Sequence, residues 1–180
     1  MTVNDFGLDP EQLGRQVFSD LVSKDWVTLL EKARLVKFQR GDVVVRQGSV
    51  PAGLYIVRRG WLRVERTAQG RTTLLGRRGQ GELLGEMSVL ENTEAMASVI
   101  AEEETELYLI NTLDLIDLLG EVPRFATRYY RSLAIHLSGR LREAAVRLEQ
   151  ASGPEAESAK STGQGAKEPF TLFIDPTFLV

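Results

Sequence analysis

The stretch Gly85-Glu86-Met87-Ser88-Val89-Leu90 interrupts a long series of short β-prone segments, and the fold is read from that interruption. Upstream, runs rich in Val, Ile, Leu and Tyr are separated by glycines. They comprise Leu35–Phe38, Gly41-Asp42, Val43–Val45, Gly48, Leu54–Val57, Gly60, Trp61–Val64, Gly70, Thr72–Leu75, Gly79 and Gly81. Segments this short and this regularly punctuated predict a roll or barrel with tight turns, not alternating strands and helices. Downstream, Ala97–Ala101 and Thr105–Ile110 read as two further strands. The expected class is mainly β with flanking helices: an antiparallel β-roll (jelly roll) closed by a long C-terminal helix.

Helical patterns flank the roll. Residues 9–33 carry Leu13, Val17, Leu21, Val27 and Leu30 at mostly three- and four-residue steps. A helix from about Thr112 to Leu119 precedes Pro123, which opens a longer one to about Ala151. In that helix Thr127, Ala134, Leu141 and Leu148 fall seven apart, and Tyr130, Leu137, Ala144 and Ala151 follow three residues later. This heptad seam suits either one apolar face packed on the roll or the contact of a parallel homodimer. Beyond Ala151 the composition turns to Ser, Gly, Glu, Ala and Lys, as in a flexible linker. Phe170–Val180 is apolar again, and reads as a strand folding back or a peptide that docks a protein partner. The expected organisation is an N-terminal extension (1–16), a domain (17–151), a linker (152–169) and an apolar tail (170–180).

Composition removes several functions. The 180 residues include no cysteine, which excludes disulfides, zinc–thiolate sites and thiol nucleophiles. The single histidine, His136, cannot build a metal site or a Ser-His-Asp set alone, and a solvent-facing helical role is expected for it. No catalytic residues are assigned, and an enzyme is not expected. No uncharged apolar run approaches the ~18 residues that cross a bilayer, and no signal pattern opens the chain, so a cytoplasmic location is expected. The net charge of −3 hides a segregation. Residues 34–84 hold eleven Arg/Lys and three Asp/Glu, whereas residues 85–123 hold ten Asp/Glu and no Arg or Lys. Residues 124–150 return to six Arg against two Glu. Either the surface is internally complementary or a basic cavity wall awaits a phosphate-bearing ligand.

The order of helix, eight-stranded roll, short inserted helix and long closing helix resembles the cyclic-nucleotide-binding domain family over about residues 17–150. Gly41-Asp42, Gln47-Gly48-Ser49, Leu54-Tyr55-Ile56-Val57, Gly60 and Gly85–Leu90 carry the resemblance at these spacings. It implies that Gly85–Ser88 form a phosphate-binding cassette whose short helix aims backbone N–H groups at a cyclic phosphate. Glu86 then accepts from a ribose 2′-OH, and Leu75, Met87, Ser88, Ala95 and Met96 join the ligand-binding set. The family's phosphate-pairing arginine stands four residues before a strand-opening valine, here Val99. Ala95 occupies that place, preceded by the acidic Glu94. Losing such a contact costs on the order of 1.5–3 kcal/mol.

Three readings follow from the resemblance. Cyclic AMP or cyclic GMP binds with another arginine substituting. Cyclic di-GMP, which some family members bind, uses arginine for guanine stacking and bidentate pairing. Arg71, Arg77 and Arg78 before the cassette, and Arg140 on the closing helix, are the candidates. In the third reading the fold is a ligand-free adaptor for other proteins. Cyclic di-GMP is the favoured ligand and no cofactor is expected. Transcription factors of the family carry a helix-turn-helix domain after the long helix, and residues 152–180 contain no recognition-helix pattern. Direct DNA binding is therefore not expected, and a protein partner is.

Overall fold

The computed structural model describes residues 18–151. The N-terminal extension, the linker and the apolar tail expected above lie outside them, as do Leu13 and Val17. Helix α1 (Ser23–Glu31) leads into β1 (Arg34–Phe38), β2 (Val43–Val45), β3 (Gly53–Arg59), β4 (Leu62–Ala68), β5 (Arg71–Arg78) and β6 (Leu83–Leu84). Helix α2 (Glu86–Glu91) is inserted before β7 (Ser98–Ala101) and β8 (Thr105–Asn111), and α3 (Thr112–Glu121) and α4 (Phe125–Ala151) follow. The strands form two antiparallel four-stranded sheets, β1-β8-β3-β6 and β2-β7-β4-β5. A mainly β fold with flanking helices is what the glycine-punctuated runs produce. The first compact unit ends at Gly139, and the remainder of α4 belongs to a second.

Two cores follow from strand alternation. Tyr55 and Val57 of β3, Leu84 of β6 and Leu107 of β8 join Leu62, Val99 and Ala101 from the other sheet inside the roll. The alternate residues Leu54, Ile56, Leu83, Tyr108 and Ile110 meet the helices on the opposite face. There they pack with Trp26, Leu29 and Leu30 of α1, Leu115 and Leu118 of α3, and Phe125, Tyr129 and Leu133 of α4. β3 is thus buried on both faces, which is why Leu54–Val57 reads as an unbroken apolar run rather than an alternating one. Its Gly53 lies so close to β8 that a Cβ there would stand 2.0 Å from the Ile110 carbonyl oxygen.

Three boundaries differ from those expected. α1 starts at Ser23, because Val22 is extended and its N–H donates to Asp25 Oδ2 at 3.0 Å, capping the helix. β6 has only two residues between turns, too few to leave a periodic signal. α4 starts at Phe125 because Pro123 keeps Val122 extended (φ −91°, ψ 113°) and Arg124 takes φ 63°.

The glycine geometry is testable by urea denaturation. Gly53→Ala is expected to cost about 3 kcal/mol or more, since backbone must move to admit the methyl group. Gly120→Ala in α3, where an added Cβ meets nothing within 4 Å, should leave stability unchanged or raise it by up to about 1 kcal/mol. Equal midpoints for the two variants would contradict the close β3–β8 approach.

Candidate ligand-binding site

The segment expected to form the cassette begins where β6 ends. Gly85 adopts φ 81°, ψ −4°, a left-handed conformation that glycine takes at least cost, and its Cα faces the Gly53 carbonyl. A Cβ at Gly85 would lie 2.5 Å from that oxygen. α2 starts at the next residue and ends at Asn92, also left-handed (φ 52°). Thr93 closes it by donating its N–H to Ser88 O at 3.1 Å. Met87 is exposed, Ser88 is half-buried, and Val89 packs on the helix-side core. Glu86 is 3% exposed. The Tyr129 phenol is pushed far above its ordinary range, first by burial, then by the nearby Tyr130 and by the Glu86 carboxylate. The carboxylate matched to the ribose acceptor therefore sits within electrostatic reach of α4.

Ala95 faces the other core. It is 8% exposed and packs inside the roll with Val45, Leu62 and Val99. Its N–H donates to Ser49 O at 2.8 Å, and its carbonyl accepts from Gly48 N at 2.8 Å. The position expected to match the family's arginine is thus small, apolar and tied into backbone bonding, while Met96 beside it is exposed. Gln47 fixes the neighbouring edge. Its Nε2 donates to Thr67 O at 3.0 Å, and its Oε1 accepts from Thr67 N at 2.8 Å.

The candidate arginines occupy β5 without converging. Arg71 is exposed at the start of the strand, opposite Ala68. Leu75 is the extra residue where the β4–β5 register shifts, and is 40% exposed. Arg77 lies 2.8 Å from Glu102, and Arg78 lies 3.7 Å from Glu82 while donating to Arg77 O at 2.7 Å. Arg140 is the first residue of the second unit and is partly exposed. His136 is half-buried rather than solvent-facing. Among the described residues, no group of three or more His, Asp or Glu side chains is placed to hold a metal ion.

The segregated charges meet across strands. Glu106 of β8 pairs with Lys37 of β1 at 2.8 Å and with Arg58 of β3. Lys37 holds its carboxyl below the ordinary 4.5, helped by Arg58 and opposed by burial. Farther along the chain, Asp25 of α1 accepts from Arg128 Nε and Nη2 at 2.5 and 2.6 Å. These residues are 103 apart in sequence, so no local signal foretold the pair. Tyr129 lies outside the heptad pattern, which passes through its exposed neighbour Tyr130.

α4 presents two faces. Phe125, Tyr129 and Leu133 are the buried ones, stepping by four residues. Of the seam, Thr127, Tyr130 and Ala134 are exposed and Leu137 packs partly on the helix-side core. In the second unit Leu141, Ala144 and Leu148 are exposed. Within the first unit, Thr127, Tyr130 and Ala134 are thus not on the buried face.

Comparison with known proteins agrees with this geometry. Residues 35–121 match the model of the cyclic nucleotide-binding domain. The chain is 34% identical to the Cyclic AMP receptor protein of Thermus thermophilus over 81% of its own length and 66% of the relative's. It is 30% identical to Cyclic GMP-binding protein C of Dictyostelium discoideum over 68% of its length, but spans only 5% of that protein. The crystal structure of the Thermus thermophilus Catabolite Activator Protein superposes with a TM-score of 0.64 at 33% identity, covering 76% of this chain and 63% of that one.

Because the Glu106 pKa is lowered on folding, its ion pairs stabilise the fold fully above the unfolded-state pKa. That contribution is lost as pH falls through the lowered folded value. Urea midpoints measured from about pH 7 to about pH 3 should fall more steeply for the wild type than for Glu106→Gln. Parallel curves would show that the pairs contribute nothing.

Proposed function

Through residues 35–121 the chain belongs to the cyclic nucleotide-binding domain family, and from that premise we propose that it is a non-catalytic second-messenger sensor favouring cyclic di-GMP over cyclic AMP. The observation that carries this reading is the pairing of a formed cassette with a missing cation. Gly85, Glu86 and a short helix stand in the cassette geometry, while Ala95 is buried in apolar surroundings. A cyclic mononucleotide offers one phosphate to a site without its arginine. A cyclic dinucleotide is longer, and its guanines give arginines on β5 two more places to bind. The domain of the proposal is residues 17–151, in the cytoplasm.

Output runs through protein contacts in this reading. The exposed Thr127, Tyr130 and Ala134 supply one face for a parallel homodimer. Phe170–Val180 supplies an apolar segment for a protein partner, and DNA is not contacted directly. A second reading, a ligand-free adaptor on the same fold, is favoured by the near-complete burial of Glu86.

Titration calorimetry with cyclic AMP, cyclic GMP and cyclic di-GMP separates these readings. Cyclic di-GMP should bind at least about tenfold more tightly than cyclic AMP, in line with a lost charge-assisted contact. Glu86→Gln should weaken binding, and Ala95→Arg should narrow the preference by restoring affinity for cyclic AMP. Tighter binding of cyclic AMP by the wild type would sink the proposed preference. Binding of none at millimolar concentration would favour the adaptor.

A further inference from the structure

We propose that Gln47 is a positioning residue of the ligand site: its side-chain amide ties the end of the β4–β5 hairpin to the segment around Ala95, and so sets where Arg71 stands. The inference rests on reading the β5 arginines as ligand contacts, and names the one that supplies the charge missing at Ala95.

Gln47 does with a side chain what a neighbouring strand does elsewhere. β7 accompanies β4 only as far as the pair Ser98–Glu65. Two residues on, Thr67 keeps β5 on one side, where it stands opposite Thr72. Gln47 serves the other side: its Nε2 donates to Thr67 O at 3.0 Å, and Thr67 N donates to its Oε1 at 2.8 Å. A primary amide thus copies the donor and acceptor of a peptide group. Its own backbone is held as well, since Gln47 N donates to Ser98 Oγ at 3.0 Å. Beyond Glu65 the hairpin is a two-stranded ribbon, a form with little stability alone, and this amide is what anchors it.

The loop that carries Gln47 also holds Ala95. Gly48 N donates to Ala95 O and Ala95 N donates to Ser49 O, both at 2.8 Å. On the far side of the tie, Thr67 Oγ1 lies 2.9 Å from Thr72 Oγ1, and the register continues with Ala68 opposite Arg71. A run of hydrogen bonds therefore leads from Ala95 through the Gln47 loop and Thr67 to Thr72, the residue after Arg71. The three arginines of β5 differ in what holds them. Arg77 pairs with Glu102 and Arg78 with Glu82, near the other end of the strand. Arg71 is exposed and makes no ion pair with another described residue. Its guanidinium is uncommitted, so placing its backbone is what prepares it for an anion, and an arginine placed beforehand loses less freedom on binding.

Hydrogen exchange of the full chain without ligand tests the tie. In Gln47→Ala, protection of amides 66–73 should fall about tenfold at about pH 7 and at about pH 4, each against wild type at the same pH, with residues 107–110 of β8 unchanged. Gln47→Glu has a sharper signature. Its carboxylate cannot donate to Thr67 O at pH 7, but once protonated near pH 4 it can, so protection should be lost at the higher pH and recovered at the lower. Unchanged protection in Gln47→Ala would overturn the tie, and so would an equal loss throughout the chain. A response of Gln47→Glu that ignores pH would overturn the part given to the amide, and this variant carries the test if Gln47→Ala does not fold. Calorimetry with cyclic di-GMP then tests the positioning. Gln47→Ala and Arg71→Ala should each weaken binding about tenfold, and the double variant no further. Additive losses, or unchanged affinity in either single variant, would overturn it. Exchange needs no nucleotide, so binding of none would remove the ligand role of Arg71 and leave the tie to be decided by exchange alone.

Discussion

Three stretches of backbone are stacked with no side chain between them, and the site depends on that stack. The Ile110 carbonyl of β8 bears on Gly53 of β3, and the Gly53 carbonyl bears in turn on Gly85, one residue before α2. A methyl group at either glycine would lie 2.0 or 2.5 Å from a carbonyl oxygen. β3 is therefore held between β8 and the cassette turn at a spacing that only glycine permits. α2 starts at the residue after Gly85, and the β3 strand that bears on it is buried on both faces. The cassette takes its position from the sheet, and its helix is too short to set that position alone.

Charge follows the same logic of sheet before sequence. Along the chain the basic and acidic residues form separate blocks, a pattern compatible with a cationic cavity wall. The antiparallel register brings the blocks together: Lys37 stands opposite Glu106 across β1 and β8, and Arg58 reaches the same carboxylate from β3. Arg77 and Arg78 meet Glu102 and Glu82. Much of the segregation is thus complementarity viewed one strand at a time. Arg71 at the start of β5 remains exposed to solvent.

What the sequence made legible was local. Turn glycines and β-branched runs located seven of the eight strands, and the broken rhythm at Gly85–Leu90 located α2, because both signals span a few residues. β6 escaped by being two residues long. The Asp25–Arg128 pair, the Gln47–Thr67 exchange and the Phe18–Tyr129 ring contact join residues far apart, and composition carries no trace of them. α4 shows the boundary most clearly. Its heptad period was plain, yet the buried face runs through Phe125, Tyr129 and Leu133, one residue away from Tyr130 and Ala134. Periodicity announces that a helix has an apolar face without saying which neighbour claims it.

The site itself poses an electrostatic problem. In the proposed reading a cyclic phosphate would meet backbone dipoles, the Glu86 carboxylate and the apolar surroundings of Ala95, which supply no formal positive charge. Backbone N–H groups favour the anion but do not replace a bidentate arginine worth on the order of 1.5–3 kcal/mol. The cations nearest in sequence, Arg77 and Arg78, are engaged with carboxylates at the sheet edge. Arg77 is 60% exposed, and exposed pairs of that kind contribute only about 0–1 kcal/mol, so its guanidinium can be recruited at small cost. In the proposed reading a ligand with a second base and a second phosphate would draw on β5 arginines that are paired with Glu102 and Glu82.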